Sequence, residues 1–176
     1  MPIFYTVDRL GTLAEGMVFE NASPVSCAMS ISHRLTSLFP EGVSKHGVRY
    51  FVDAPNMSDR SASIELVFEL ARQIYAPHLA SRAQSVFATE SIDSAEHFVA
   101  MCAGGVVTPK IWEVESEHYF RANMSLLRND RPLLKILDMA EAYWKGEEGP
   151  DTGTPPFWEI LLPCSARVVR CLSSGI

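Results

Sequence analysis

No apolar run in this chain is long enough to cross a bilayer, so no transmembrane segment is expected. The opening residues, MPIFYTVDRLG, lack a basic stretch ahead of a long apolar one, so no secretory leader is expected and a cytoplasmic location is. The four cysteines (Cys27, Cys102, Cys164 and Cys171) form no CxxC pair, and free thiols in a reducing compartment follow. The five histidines (His33, His46, His78, His97 and His118) have no paired ligand spacing, so no zinc is expected. No GxGxxG or GxxxxGK[ST] follows a predicted strand, and no GxSxG elbow occurs. These absences exclude the ordinary dinucleotide fold, the P-loop and the α/β-hydrolase. The net charge of −6 argues against a broad basic surface for duplex nucleic acid. No repeat, linker or low-complexity tract is visible.

What remains is a chain of 176 residues, 47% hydrophobic and 20% charged, suited to one domain over residues 1–176 with a real core. Ile3 to Val7 is apolar, aromatic and β-branched, and reads as a first strand. Ser26 to Leu38 reads as a helix stopped by Phe39-Pro40-Glu41-Gly42. A glycine-flanked loop follows, carrying Lys45, His46, Arg49 and Tyr50, with a strand at Tyr50 to Val52. Residues 58–75 form the clearest helix, with Ile64, Val67, Phe68, Ala71 and Ile74 as its apolar stripe and Glu65, Glu69 and Arg72 as its polar side.

The middle of Ser81 to Ser91 reads as a strand. Ser91 caps a helix that includes Ala95, Phe98, Val99 and Cys102 and closes at Gly104-Gly105. Val106 to Glu117 is a strand with a break at Pro109, wet along Glu113, Glu115 and Glu117. His118 to Leu127 continues it as a hairpin or bend. Pro132 to Lys145 is a second strong helix, its stripe Leu133, Ile136, Leu137, Ala140 and Tyr143 or Trp144. A polar loop, Gly146 to Pro156, leads into a last strand pair, the second strand at Arg167 to Leu172 folding back on the first. Strands gathered in the second half and a closing hairpin predict an α+β fold.

The first strand of that pair is the most informative stretch: Pro155-Pro156-Phe157-Trp158-Glu159-Ile160-Leu161-Leu162-Pro163. It is apolar, bracketed by prolines, and holds one carboxylate. Burying an ionised carboxylate is costly unless something pairs with it or uses it. Glu159 is therefore a paired structural group, an outward-facing edge residue, or a working residue, and composition alone leaves all three open.

FYTVDR, FPEGVSKHGVRY, ELVFELAR, SRAQSVFA, IWEV, YFRANMSLL, YWKG and FWEILLP, in that order from Phe4 to about Val169, resemble an uncharacterised bacterial and phage domain family of the ADP-ribosyltransferase-like superfamily. The resemblance implies a split β-sheet core with flanking helices, NAD as substrate, and ADP-ribose transfer to an unidentified protein or nucleic acid. A toxin or effector role, with delivery into a target cell, would fit that company. NAD hydrolysis or a binding module without catalysis are its alternatives.

Glu159-Ile160-Leu161-Leu162-Pro163 matches the end of that superfamily's late strand, while Phe157 stands where a first Glu or Gln would be. The resemblance gives Glu159 the catalytic role and makes Ser85 a ribose ligand or a support for Glu159. Tyr5-Thr6 fall where an Arg or His of the first strand is expected, and Arg9 lies slightly later. Arg9 and Arg82 are candidates for the diphosphate. Tyr5, Phe87 and Tyr119 are candidates to stack on nicotinamide, or else core aromatics. His46 and Tyr50 sit in a loop able to cover the ligand. Glu159, Ser85 and Arg9 are then expected to line one cleft between two small sheets.

Overall fold

Along Ile3–Asp8 burial alternates: Phe4, Thr6 and Asp8 are buried and their neighbours more open, the period of two of a strand with one face on a core. This is β1. A computed structural model describes residues 1–23, 29–53, 59–101 and 108–172 of the chain. The expected helix start at Ser26 and helix opening at Ser58, along with Cys27, Cys102 and the Gly104-Gly105 stop, lie outside the described residues.

The fold is α+β, with two antiparallel three-stranded sheets and helices packed against them. The first sheet has the order β1, β3 (Lys110–Glu115), β6 (Arg167–Cys171). The second has the order β2 (Ser85–Ala88), β5 (Trp158–Pro163), β4 (Phe120–Asn123). Among the described residues the backbones of the two sheets are joined at one bridge, where Tyr5 and Thr89 exchange hydrogen bonds of 3.0 and 2.8 Å. The Thr6 hydroxyl adds a 2.7 Å bond to the Phe87 carbonyl.

β5 is the centre of its sheet, and Glu159 through Leu162 are all buried, which is why the stretch reads as a continuous apolar run. Ile160 and Leu162 join Phe4, Val114 and Val168 of the first sheet in one core cluster. Leu161 joins Phe68, Tyr143 and Trp144 in a second cluster, formed with helices α3 (Asp59–Tyr75) and α5 (Leu133–Lys145). Helix α1 (Met29–Leu38) ends before Gly42, whose φ of +87° suits only glycine; a Cβ there would strike the Ala22 carbonyl. Helix α4 (Ile92–Met101) starts as expected, the Ser91 hydroxyl accepting from the Ser94 N–H at 3.2 Å. No helix among the described residues is long and apolar enough to cross a membrane.

Several expectations are corrected. β5 and β6 are not a hairpin: both edges of β5 are taken by β2 and β4, and the tight turn at Pro163 carries the chain across to the other sheet, where β6 pairs with β3. Tyr50 to Val52 is not a strand. The Ser44 hydroxyl accepts from Gly47 N–H and starts a short helix, α2 (Lys45–Gly47), which continues as a wide π turn over Val48–Val52. Ile74 and Leu133 are exposed at 69% and 82%, whereas Glu65 and Glu69, placed on the wet side of their helix, are buried.

Candidate functional site

The site starts from a serine. The Ser81 hydroxyl accepts from Ala83 N–H at 3.0 Å and closes a single 3₁₀ turn, Arg82–Gln84. The same hydroxyl donates to Glu69 on α3 at 2.6 Å, tying the turn to that helix. The turn drives Arg82 inward rather than into solvent. Its Nε and Nη2 reach the Glu65 carboxylate at 3.1 to 3.3 Å. Its Nη1 reaches Glu159 Oε1 at 2.5 Å and the Tyr143 oxygen at 2.5 Å. The Phe87 ring lies beneath the guanidinium, 4.5 Å from Cζ to centroid. Tyr143, on α5, donates its own proton to Glu159 Oε1 at 2.7 Å. Side chains from α3, α5 and β5, remote in sequence, thus converge on the guanidinium of this turn.

Burial is nearly complete: Arg82 is 6% exposed, Glu65 6%, Glu159 4% and Tyr143 0%. Burial works against charge on Arg82, but Glu159, Tyr143 and Glu65 outweigh it and hold the guanidinium well above its ordinary value. Burial likewise opposes charge on Glu65, yet Arg82 and the neighbouring His46 pull its carboxyl down to about 2. Burial, reinforced by the Glu159 carboxylate and only partly offset by Arg82, pushes the Tyr143 phenol well above its usual value, so it stays protonated. Two carboxylates face one guanidinium. His46 Nε2 lies 3.0 Å from Glu65 Oε1, a close approach without the alignment of a hydrogen bond.

This network forms part of the wall of a cavity of about 560 Å³ where β1 meets β2. Tyr5, Tyr50, Phe87 and Phe98 supply aromatic walls, the His46 ring lying tilted against Tyr50 and Phe87 at 4.4 and 4.7 Å. Arg9, Lys45 and Arg49, all exposed, bring positive charge to its rim. Arg9 lies 5.9 Å over the Phe98 ring. Asp8 also lines the cavity; burial opposes its charge, but the backbone N–H groups of Leu13, Thr12, Leu10 and Gly11 hold its carboxyl below the usual value. Burial raises the Cys164 thiol to about 11, so the one lining cysteine is no thiolate near neutral pH.

Tyr5, Thr6, Arg9, His46, Tyr50, Arg82, Ser85, Phe87 and Glu159 all line this one cavity. Tyr119 does not: it is 52% exposed, its ring packed on Phe4 at 4.9 Å. Three others line the cavity with their polar groups already engaged. The Ser85 hydroxyl donates to the Ser81 carbonyl at 2.7 Å and does not support Glu159; Arg82 and Tyr143 do that. Arg82 is committed to two carboxylates, which sets it against the diphosphate role expected of it. The Thr6 hydroxyl is spent joining the sheets. As for Glu159, the edge reading fails because β5 is central, while the paired reading holds together with a place on the cavity wall.

Sequence reasoning missed Tyr143 and Glu65. Glu65 and Glu69 lie four apart, three before and one after Phe68, so they border the buried face of α3 instead of opposing it. That spacing was the available signal for buried acids; nothing in an amphipathic stripe marks the hydroxyl of Tyr143.

Residues 32–173 match a family described as a protein of unknown function, DUF2441, and the chain belongs to that family. No curated protein matches the sequence.

Proposed function

We propose that the protein is an NAD-dependent ADP-ribosyltransferase that transfers ADP-ribose to a macromolecular acceptor, protein or nucleic acid. The observation that carries this reading is Glu159, a carboxylate fixed by Arg82 and Tyr143 and lining a cavity with aromatic walls and a cationic rim. The resemblance of FWEILLP and its companion segments to the ADP-ribosyltransferase-like superfamily supports the same reading, as do two small sheets meeting at the cavity. A volume of about 560 Å³ falls in the usual range for small-molecule and cofactor pockets.

The chemistry asked of the site is modest. The bond between nicotinamide nitrogen and ribose C1 breaks, and its electron pair leaves with neutral nicotinamide. Positive charge builds on the sugar, and the Glu159 carboxylate beside it stabilises that charge. A nucleophile of the acceptor then bonds to C1 and loses its proton to solvent. Arg9, Lys45 and Arg49 meet the diphosphate, and the aromatic walls take the rings.

A second reading, NAD hydrolysis, has one observation in its favour. Phe157 offers no carboxylate to activate an acceptor; its ring instead packs 6.2 Å from Phe98 and 5.7 Å from His97. Water would then be the acceptor. The deciding experiment incubates the protein with labelled NAD and a cell lysate, beside Glu159→Gln. Label on a macromolecule supports transfer, and nicotinamide release without it supports hydrolysis. Removing the charge should slow either reaction about 10²- to 10³-fold; an undiminished rate in Glu159→Gln would remove Glu159 from the mechanism.

A further inference from the structure

Both hydrogen bonds that Glu159 receives fall on the same oxygen. Arg82 Nη1 and the Tyr143 hydroxyl meet at Oε1, at 2.5 and 2.7 Å, and among the described residues none falls on Oε2. A guanidinium alone would ordinarily grip a carboxylate with both forks, one on each oxygen. Here the second fork is turned away: Nε and Nη2 of Arg82 are held by Glu65, which comes from a different helix. The ring of Tyr143 cannot swing off, because it packs edge-on against Phe68 and Trp144 at 5.3 and 5.0 Å and is fully buried.

We propose that Tyr143 is a positioning residue: together with Arg82, itself turned by Glu65, it clamps Oε1 of Glu159, so that Oε2 is the oxygen offered to the ligand. The inference rests on the reading of Glu159 as the working carboxylate. It assigns a reason for the location of the tyrosine on α5 and of the acid on α3, neither of which lines the cavity. Burial and the adjoining carboxylate keep the phenol protonated, so the donor persists wherever the protein is folded. Without the hydroxyl, Glu159 keeps only Arg82, and its carboxylate is free to turn and take that guanidinium through either oxygen. The ligand pocket itself is unchanged, since Tyr143 does not line it.

The test is steady-state nicotinamide release from NAD by Tyr143→Phe, which deletes one oxygen and keeps the ring packing. The expected result is a kcat lower by roughly tenfold or more, the scale of one hydrogen bond to a charged group, with KM for NAD within about twofold. A merely structural tyrosine would leave kcat per folded molecule unchanged, and that outcome overturns the proposal. Should Tyr143→Phe not fold, Glu65→Gln carries the same expectation through Arg82: kcat falls and KM holds. An unchanged kcat there overturns the clamp equally.

A readout without NAD separates this inference from the proposed function. In the folded protein the Tyr143 hydroxyl proton should give a slowly exchanging downfield NMR signal that is lost in Glu159→Ala. If that signal is present but the wild type releases no nicotinamide, the NAD reading fails and the clamp stands. If the folded wild type shows no such signal, the clamp fails whatever NAD does.

Discussion

Replacing Arg82 by methionine should damage the protein in a way that acid relieves. The guanidinium is the only positive group hydrogen-bonded to Glu65 and Glu159 among the described residues, and both acids are buried. Methionine keeps much of the volume over Phe87 but leaves two carboxylates without their cation. Removing one partner of a buried pair costs about 3–5 kcal/mol, because the remaining charge is stranded. For a chain of this size each kcal/mol moves Tm by about 2–4 °C, so the expected drop at pH 7 is about 6–20 °C.

The pH dependence gives the sharper criterion. In the wild type Glu65 sits at about 2, against an ordinary 4.5. Its contribution is present above the unfolded value and is lost as pH falls through the folded one. In Arg82→Met the same carboxyl loses its main cation and keeps only His46 against burial, so its value rises from about 2 and the variant has less stability to lose as the pH falls. The Tm gap between the two proteins should therefore narrow from pH 7 to pH 4 in calorimetry. A drop under about 3 °C at pH 7, or a gap that widens in acid, would refute the reasoning.

Four further outcomes follow. Thr6→Val removes the hydroxyl bond that helps join the sheets and leaves the Phe87 carbonyl short of a donor, costing about 1–3 kcal/mol by urea denaturation. Phe68→Ala empties the contact between α3 and α5, at 0% exposure, and should cost about 3–5 kcal/mol in the same assay. Gly42→Ala forces a Cβ onto the Ala22 carbonyl at a φ of +87° and should lower Tm, whereas Asp138→Ala, which removes only an exposed pair with Lys135 at 3.8 Å, should not. In mass spectrometry after brief iodoacetamide treatment at pH 7.5, Cys171, exposed, should be labelled well before Cys164, whose thiol is held at about 11.

What the sequence displayed and what it hid divide along physical lines. Local chemistry was legible: the Ser91 cap, the apolar, β-branched strand at Ile3 to Val7, the stop at Phe39-Pro40-Glu41-Gly42, and β5 as a buried strand. Sheet pairing was not, because sequence adjacency favours a hairpin between β5 and β6 while the register is decided by which edges remain open. Tyr50 to Val52 has strand-forming side chains, yet a serine cap six residues earlier had already committed the backbone to helix. The cavity residues were accessible to chemical reasoning because each bears a group that would bind something. Glu65 was half-visible: its spacing from Phe68 marks a buried acid, but its partner Arg82 is 17 residues away, and an acid on an amphipathic helix reads as solvated until that partner is in place.

The paired and the working readings of Glu159 are not rivals. A carboxylate needed only for stability could be replaced, with its arginine, by apolar groups at little cost or at a gain, since buried ion pairs rarely repay their desolvation. A carboxylate meant to work in a dry cavity has no such substitute: it must stay charged, and charge at 4% exposure requires a fixed cation and fixed donors. Full satisfaction, however, would silence it, because a carboxylate gripped on both oxygens has no strong acceptor left for a ligand. The arrangement around Glu159 lies between those limits. One oxygen carries both hydrogen bonds, the arginine that supplies one of them is held on its far side by a second acid, and the carboxylate lines a cavity whose rim is cationic. A purely structural ion pair has no use for that asymmetry, whereas the role proposed for Glu159, to stabilise a positive sugar beside it, does.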